Sequence, residues 1–558
     1  MRRGEKKVEV LSSIVIIILA CILAVFLGII GYLYFLYRKT YRMDINQQQH
    51  AIRRNYPVIS RIRYFMEQIS PEIKQYILDE DHEGKPFSRL DFQQIVKLAK
   101  YGKNIISFGS KRDFDLPNQF YLRNAFFAKQ LTDLNADNID MISTKKYIDA
   151  PTDKHNKLTE YQELFFPKSE TFIETEIKPW LYQDEEAIVI GEKTCKYPFV
   201  LKSPIGMSGM SYGALGENAI EALGLGLKDA RAFMNTGEGG ISPYHLKSGV
   251  DIITQIGPGK FGFRNDDGTF SWEELYKKAQ IPQIKAFELK LGQGAKIRGG
   301  HLEGSKVTPL IAEIRGVEPW KTINSPNRFD EFYDFATMFD FIEKIRQVSG
   351  KPVGIKMVVG SHDTFEEFVQ YMAKSNRFPD YIAIDGGEGG TGATYQAMAD
   401  SVGLPIKPAL MIAQELLVSY EIRDKLKLFA SGKLFSPDRI AIALAMGADA
   451  IVIARGLMIS VGCISAGVCA TGNCPVGVAT TNPKLQKALV VEEKRYRVTN
   501  YVTTLREELF ALSASAGLSS PRQFKPKHVV YVDGNFQALN LEELKKNESK
   551  GKKVLQGV

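Results

Sequence analysis

Tyr381-Ile-Ala-Ile-Asp385-Gly-Gly-Glu-Gly-Gly-Thr-Gly-Ala393 is a short apolar run that breaks off into glycines. Its first five residues have the length and the β-branched and aromatic content of a fully buried strand. The same pattern recurs on both sides of it. Apolar runs at 199–202, 232–235, 252–256, 286–290, 353–357, 428–431 and 450–454 each end in a Gly- or Ser-rich loop and lead into a helix-like stretch. With 381–385 they make eight. Continuous apolar runs that alternate with helices predict parallel strands covered on both faces. Eight such units predict an α/β fold of the (β/α)8 TIM-barrel type, with an open doubly wound sheet as the alternative.

Working outward, residues 195–517 are assigned to the barrel, its helical closing stretch at 483–517 included. Residues 518–558 are a tail whose Lys-rich segment 545–553 is expected to be solvated, and residues 41–194 are a mixed helical connector without a recognisable motif. Residues 1–40 form an N-terminal transmembrane anchor. Positions 11–37 carry no charged side chain, and 14–35 are almost wholly apolar. A bilayer-spanning helix needs about 20 such residues. Tyr32, Tyr34 and Tyr37 gather at its end as interfacial aromatics do. The run is too long for a usual signal-peptide core and no small-residue cleavage site follows. Flanking Arg and Lys are nearly balanced between its two sides, so charge does not orient it. Over the whole chain the composition is close to that of a globular protein: 44% hydrophobic, 24% charged. This excludes a disordered, collagenous or multi-span protein, and a net charge of +8 implies no nucleic-acid partner.

In a (β/α)8 barrel the chemistry sits where strands end. Small residues at 203–216 would let a flat ring approach the backbone, and Gly-rich loops follow at 235–240, 290–296, 385–393, 431–433 and 454–456. The loops after strands seven and eight are the usual phosphate site of such barrels, so Lys433 and Arg455 are candidate phosphate partners. Lys290 and Lys356 end apolar strands, where a charge is expensive unless an anion meets it. Gln293 and Lys296 in a glycine loop suit a carboxylate. Glu238, between glycines, suits acid/base or positioning work. The seven histidines show no metal-ligand spacing, and His301 reads as a loop residue.

Five cysteines occur, and Cys463, Cys469 and Cys474 fall together in Cys463-Ile-Ser-Ala-Gly-Val-Cys469-Ala-Thr-Gly-Asn-Cys474-Pro475. Clustered thiolates with glycines and a following Pro suit iron–sulfur ligation. Structural zinc would want four ligands and closer pairs. Thiolates persist in reducing compartments, which favours a catalytic domain on the cytoplasmic side of a cell membrane.

Together these motifs resemble the FMN-binding synthase domain of glutamate synthase, over half of the chain: Asn235-Thr-Gly-Glu-Gly-Gly240, Gln293-Gly-Ala-Lys296, Asp385-Gly-Gly-Glu-Gly-Gly-Thr-Gly-Ala393 and the cysteine segment with its Pro-Val-Gly-Val-Ala-Thr continuation. The resemblance implies FMN, a [3Fe-4S] cluster, and hydride transfer from reduced FMN to 2-iminoglutarate, made from 2-oxoglutarate and ammonia, to give L-glutamate. By matching position, Cys463, Cys469 and Cys474 would ligate the cluster. Met210, Ser211 and Gly213 would lie against the flavin, Lys356 would meet its anionic edge, and Gly432, Lys433 and Gly456 would hold its phosphate. Lys290, Gly389 and Gly390 are further expected cofactor contacts. Gln293 and Lys296 would meet the 2-oxo acid, with Glu238 in the same pocket.

The chain also departs from the family. Met1 is followed by Arg2, so no N-terminal cysteine glutaminase is expected, and ammonia would be free or come from a separate subunit. Ile297-Arg-Gly-Gly300 replaces the family's Pro-Gly-Glu-Gly-Gly, and Glu388 is an addition. Both bear on 2-oxoglutarate specificity. No GxGxxG follows a strand and no four-cysteine ferredoxin motif occurs, so an external electron donor such as ferredoxin is expected. The alternatives are oxidation of an amine, or reduction of another 2-oxo acid's imine, coupled to membrane electron carriers, and a non-catalytic membrane scaffold.

Overall fold

The computed structural model describes residues 2–102, 109–110, 112–147, 172–292, 300–390, 394 and 396–544. The chain divides into two compact units, Met1–Asp91 and Phe92–Val558. The first is helical. Its leading helix, Arg2–Asn46, is long and apolar enough from Ser13 onward to cross a membrane, and residues 13–39 are exposed. Two shorter helices follow, Ala51–Asn55 and Ser60–Ile73.

The second unit is built on eight parallel strands: β1 (Ile205–Met207), β2 (Phe233–Asn235), β3 (Asp251–Ile256), β4 (Ile284–Lys290), β5 (Val353–Met357), β6 (Tyr381–Asp385), β7 (Lys427–Ser431) and β8 (Ala450–Ile453). Each pairs with its sequence neighbour from β2 to β8, and β8 pairs with β1. β1 and β2 lie side by side, so the barrel is nearly closed. Helices pack outside on apolar stripes. Glu217–Asp229 buries Ala219, Ile220, Leu223 and Leu227. Phe335–Ser349 starts on a capping box between Asp334 and Thr337 and stops at Gly350 in the left-handed region.

Seven of the expected strands are where the apolar runs put them, and the first is not. Phe199–Leu201 pairs antiparallel with Ile188–Ile190, outside the barrel, and Ile205–Met207 supplies β1. Both runs are apolar, and Ser203-Pro204 separates them. The hairpin's alternate residues Ile188, Ile190, Phe199 and Leu201 join a cluster with Phe233, Tyr381 and Phe429 that closes the N-terminal end of the barrel. Inside, the Tyr381 and Phe429 rings stack at 4.8 Å. Gly206 and Gly354 make room for these rings: a Cβ there would stand 2.3 Å from Phe233 and from Tyr381.

The expected helical closing stretch is Pro483–Gln486 and then Val491–Ser515, which packs on Glu217–Asp229 and on Pro437–Ala445. The later part of the connector consists largely of short antiparallel pairs, such as Ile142–Tyr147 with Phe172–Ile177. Part of the stretch assigned to the tail is folded: Val529–Val532 pairs with Gln119–Leu122 and with Ala538–Asn540. The Lys-rich segment 545–553 lies outside the described residues.

Candidate active site

The C-terminal strand ends bury charge. Side chains two apart on a strand share a face, so β4 presents Glu288 and Lys290 together, and its register sets Lys290 beside Lys356 of β5. Lys290 donates to Glu238, from the loop after β2, at 2.8 Å. Glu288 accepts from Asn235 Nδ2 at 2.9 Å and from Gln255 Nε2 at 2.7 Å, and Asn235 Oδ1 accepts from the Gly237 N–H at 3.0 Å. One buried carboxylate thereby ties the ends of β2, β3 and β4 and holds the turn that presents Glu238.

Lys356 is only 2% exposed. Its ammonium donates to Ser208 Oγ at 2.9 Å, and the nearest carboxylate oxygen, Asp385 Oδ2, is 3.6 Å away. An ammonium carries three donors. This one therefore has capacity left for an anion, in a place where an unsatisfied charge is costly.

The loop after β1 is braced by Arg315, which is 5% exposed. Its Nη2 donates to the Tyr212 carbonyl at 3.2 Å and reaches Ser211 Oγ at 3.5 Å. Burial pulls this guanidinium down to about 10, with the Glu238 carboxylate opposing. Beyond β7, Gly432 and Lys433 make a turn in which both residues have positive φ, a shape that presents backbone N–H groups to anions. Beyond β8, Arg455 donates to the Gly389 carbonyl at 3.0 Å, joining the loops after β6 and β8. Glu388 does not point to an open pocket: both its oxygens accept from the Ile406 N–H, at 3.0 and 3.1 Å, at the start of helix Ile406–Ser419. Burial raises its pKa.

The cysteine loop follows. Burial pushes the Cys463 thiol up to about 11, with Cys469 and Cys474 adding to it, and raises Cys469 as well. Lys306, 3% exposed, donates to three carbonyls: Ala214 at 3.3 Å, Cys469 at 3.3 Å and Ala479 at 3.4 Å. It thus pins the cysteine loop to the loop after β1. Among the described residues no three His, Cys, Asp or Glu side chains converge on a point that suits one metal ion. A polynuclear cluster joins thiolates through its own irons and sulfides, and metal binding is what ionises thiols that burial keeps protonated. Three neighbouring thiols between Lys306 and Arg455 fit an anionic cluster better than a single ion.

The structure brings Glu238, Lys290, Lys356, Met210, Ser211, Gly213, Gly389, Gly390, Gly432, Lys433 and Gly456 to one end of the barrel. Gln293 and Lys296, and Arg298 with them, lie outside the described residues. Sequence reasoning missed Ser208, Asn235, Gln255, Glu288, Lys306 and Arg315. A signal existed for Glu288, a carboxylate inside the apolar run of β4. None existed for Lys306 and Arg315, whose partners are mainly backbone carbonyls of distant loops.

Comparison with known proteins places this geometry. The family described as the conserved region in glutamate synthase matches residues 138–519. The glutamate synthase large subunit-like protein YerD of Bacillus subtilis is 51% identical over 528 residues, covering 94% of this chain and 98% of that protein. The archaeal glutamate synthase [NADPH] of Methanocaldococcus jannaschii is 33% identical over 323 residues, 57% of this chain and 60% of its own length. Among solved structures, a flavocytochrome b2 mutant with benzoylformate covers 59% of this chain and 69% of its own, at 14% identity and a TM-score of 0.38.

Proposed function

The chain belongs to the glutamate synthase family, oxidoreductases that act on CH–NH2 donors, and from that premise we propose that its barrel binds FMN and reduces the imine of 2-oxoglutarate and ammonia to L-glutamate. The observation that carries this reading is Lys356, a buried ammonium at the end of β5 with one hydrogen bond and no carboxylate in hydrogen-bond reach. A reduced flavin ring is anionic at one edge, and a buried cation is what such an edge requires. Lys356 and Lys290 take the ring side, with Met210, Ser211 and Gly213 of the loop after β1. Gly432, Lys433 and Gly456, with Gly389 and Gly390, take the phosphate. When bound, FMN supplies the hydride.

The chain's own groups do the rest. Glu238, oriented by Lys290 and by the Asn235–Glu288–Gln255 bonds, holds or releases a proton at the substrate nitrogen. Gln293 and Lys296 bind the carboxylates of the 2-oxo acid. The balance is simple: 2-oxoglutarate and ammonia lose water to form the imine, which gains two electrons and two protons. Cys463, Cys469 and Cys474 would hold a [3Fe-4S] cluster, which would supply one-electron chemistry between an external donor such as ferredoxin and the flavin. Ammonia is free or comes from a separate subunit. The apolar N-terminal helix is a single-pass anchor in the cell membrane, with the barrel on the cytoplasmic side. The engagement of Glu388 with the Ile406 N–H removes one of the two departures that weighed against 2-oxoglutarate.

The test uses the purified full chain with reduced ferredoxin or reduced methyl viologen as donor. L-Glutamate should form only when 2-oxoglutarate and ammonium are both present, and the protein should show flavin and iron–sulfur absorbance. Absorbance without glutamate would overturn the substrate; absence of both cofactors would overturn the enzyme.

A further inference from the structure

Helix Ser60–Ile73 in the N-terminal unit carries an apolar face left open to solvent. Ile62, Phe65, Met66, Ile69 and Ile73 are three and four positions apart and share one side of the helix. Ile59 before it and Ile77 after it extend the stripe. Ile59 is 69% exposed, Ile62 59%, Phe65 57%, Met66 52% and Ile77 71%. Other parts of the helix are pinned to the unit. Arg61 donates to Asp44 at 2.8 and 3.1 Å, and the Val58 N–H to the same carboxylate at 2.9 Å. The Tyr64 ring lies under the Arg53 guanidinium at 4.3 Å and against His50 at 5.2 Å. The helix is therefore held so that its apolar stripe faces away from what holds it.

Two observations identify what covers the stripe. The first is continuity with the candidate membrane span. Asp44, which ties down the first turn of Ser60–Ile73, lies in the same helix as the span, beyond Tyr37 by roughly 10 Å at 1.5 Å per residue. That is headgroup depth. The second is charge. Positions 38–78 hold eight Arg and Lys against three Asp and Glu. Within the helix Arg61 and Arg63 balance Glu67 and Glu72, and the excess lies in the segment that joins it to the span, at Arg38, Lys39, Arg42, Arg53 and Arg54; an amphipathic helix beside a basic juxtamembrane segment is the composition that binds an anionic lipid surface.

The geometry points to an in-plane membrane helix: Ser60–Ile73 lies on the anionic leaflet beside the span, with Ile62, Phe65, Met66 and Ile69 in the headgroup–acyl boundary. This rests on the proposal that the N-terminal helix spans the membrane. Arg53, Arg54 and Lys74 face phosphate headgroups. The N-terminal unit then touches the bilayer at two points.

The test is made on the full chain reconstituted into vesicles of phosphatidylcholine and phosphatidylglycerol, with and without bromine on the acyl chains. Phe65→Trp probes the stripe and Glu67→Trp the opposite side. Trp180, Trp272 and Trp320 are a background read from the unsubstituted protein. Emission added by Phe65→Trp should be blue-shifted and largely lost on bromination, and emission added by Glu67→Trp should be neither. Equal behaviour of the two, in protein that resists alkaline carbonate extraction, overturns the in-plane helix and leaves the span standing. Blue-shifted emission from Phe65→Trp that ignores bromination means that protein covers the stripe, a second copy or the chain's own barrel, and overturns the proposal. Release by carbonate overturns both the span and the helix.

Discussion

The two ends of the barrel differ in how completely buried charge is paired. At the N-terminal end the two buried carboxylates that precede strands, Asp380 and Asp449, are saturated. Asp449 accepts from Arg423 at 2.8 Å, Arg522 at 2.9 Å and the Leu428 N–H at 2.9 Å. Asp380 accepts from Arg346 at 3.1 Å and the Val353 N–H at 2.7 Å, and from the Thr194 hydroxyl. Burial pushes Asp449 up, but its two arginines and the backbone N–H outweigh it and hold the group below the usual carboxylate range. These bonds clamp neighbouring strands together over an aromatic plug. At the C-terminal end Lys356 is buried with one hydrogen bond. Paired charge stabilises the protein at one end; at the other, Lys356 has Asp385 at 3.6 Å and keeps donor capacity that the proposed flavin would use. This is the division of labour expected of the two faces of a (β/α)8 barrel.

The sharpest way to break the comparison is to remove one charge from each end. Lys356→Met should lower glutamate formation about 1,000-fold, roughly 4 kcal/mol of lost electrostatic stabilisation, while costing less stability than loss of a saturated carboxylate, because it breaks one hydrogen bond and an ion pair stretched to 3.6 Å. Asp449→Ala should do the reverse. It strands two arginines and should cost about 3 kcal/mol in denaturant unfolding, with kcat of the folded fraction unchanged. If both variants lose stability alike, the ends do not differ.

His245 offers a smaller test at the catalytic end. It is fully buried behind the loop after β2, bonded to Ser242 at 2.7 Å, and burial lowers it to about 4. A histidine that binds its proton less well folded than unfolded destabilises the fold as pH falls. The effect is absent above pH ~6.5 and grows to roughly 3 kcal/mol near pH 4. His245→Gln should flatten that part of the stability–pH curve, and an unchanged slope would contradict the assignment. Smallest of all, Glu388→Gln should cost about 1 kcal/mol or less as a weakened helix-start bond and leave the KM for 2-oxoglutarate unmoved. A large KM change would return Glu388 to the pocket.

Much of this contrast was legible in the residues, but unevenly. The glycine-terminated apolar runs located seven strands, and the strand-end lysines stood out because charge at such positions needs a partner. The first strand was not legible. Residues 199–201 and 205–207 are equally apolar, and what separates them is a tertiary fact, the pairing of Phe199–Leu201 with Ile188–Ile190. The thiol spacing announced the cysteine loop. Lys306, which pins that loop, was invisible because it works through the carbonyls of Ala214, Cys469 and Ala479, and a carbonyl acceptor leaves no side-chain signature. Arg315 escaped for a related reason: its Tyr212 partner is also a carbonyl.

The cysteine loop is the third term of the comparison, its thiols half-buried or buried between two cations, Lys306 and Arg455. Cys469→Ala should abolish turnover with the external donor while FMN remains bound; loss of FMN as well would make the cluster a structural element.

The most direct measurement of the central claim is anaerobic rapid mixing of the chemically reduced full chain with 2-oxoglutarate and ammonium. Flavin absorbance at visible wavelengths should return with both reactants together, with one L-glutamate formed for each flavin reoxidised, and should not return with either alone. Reduced flavin that stays bleached in the presence of both would contradict the glutamate assignment.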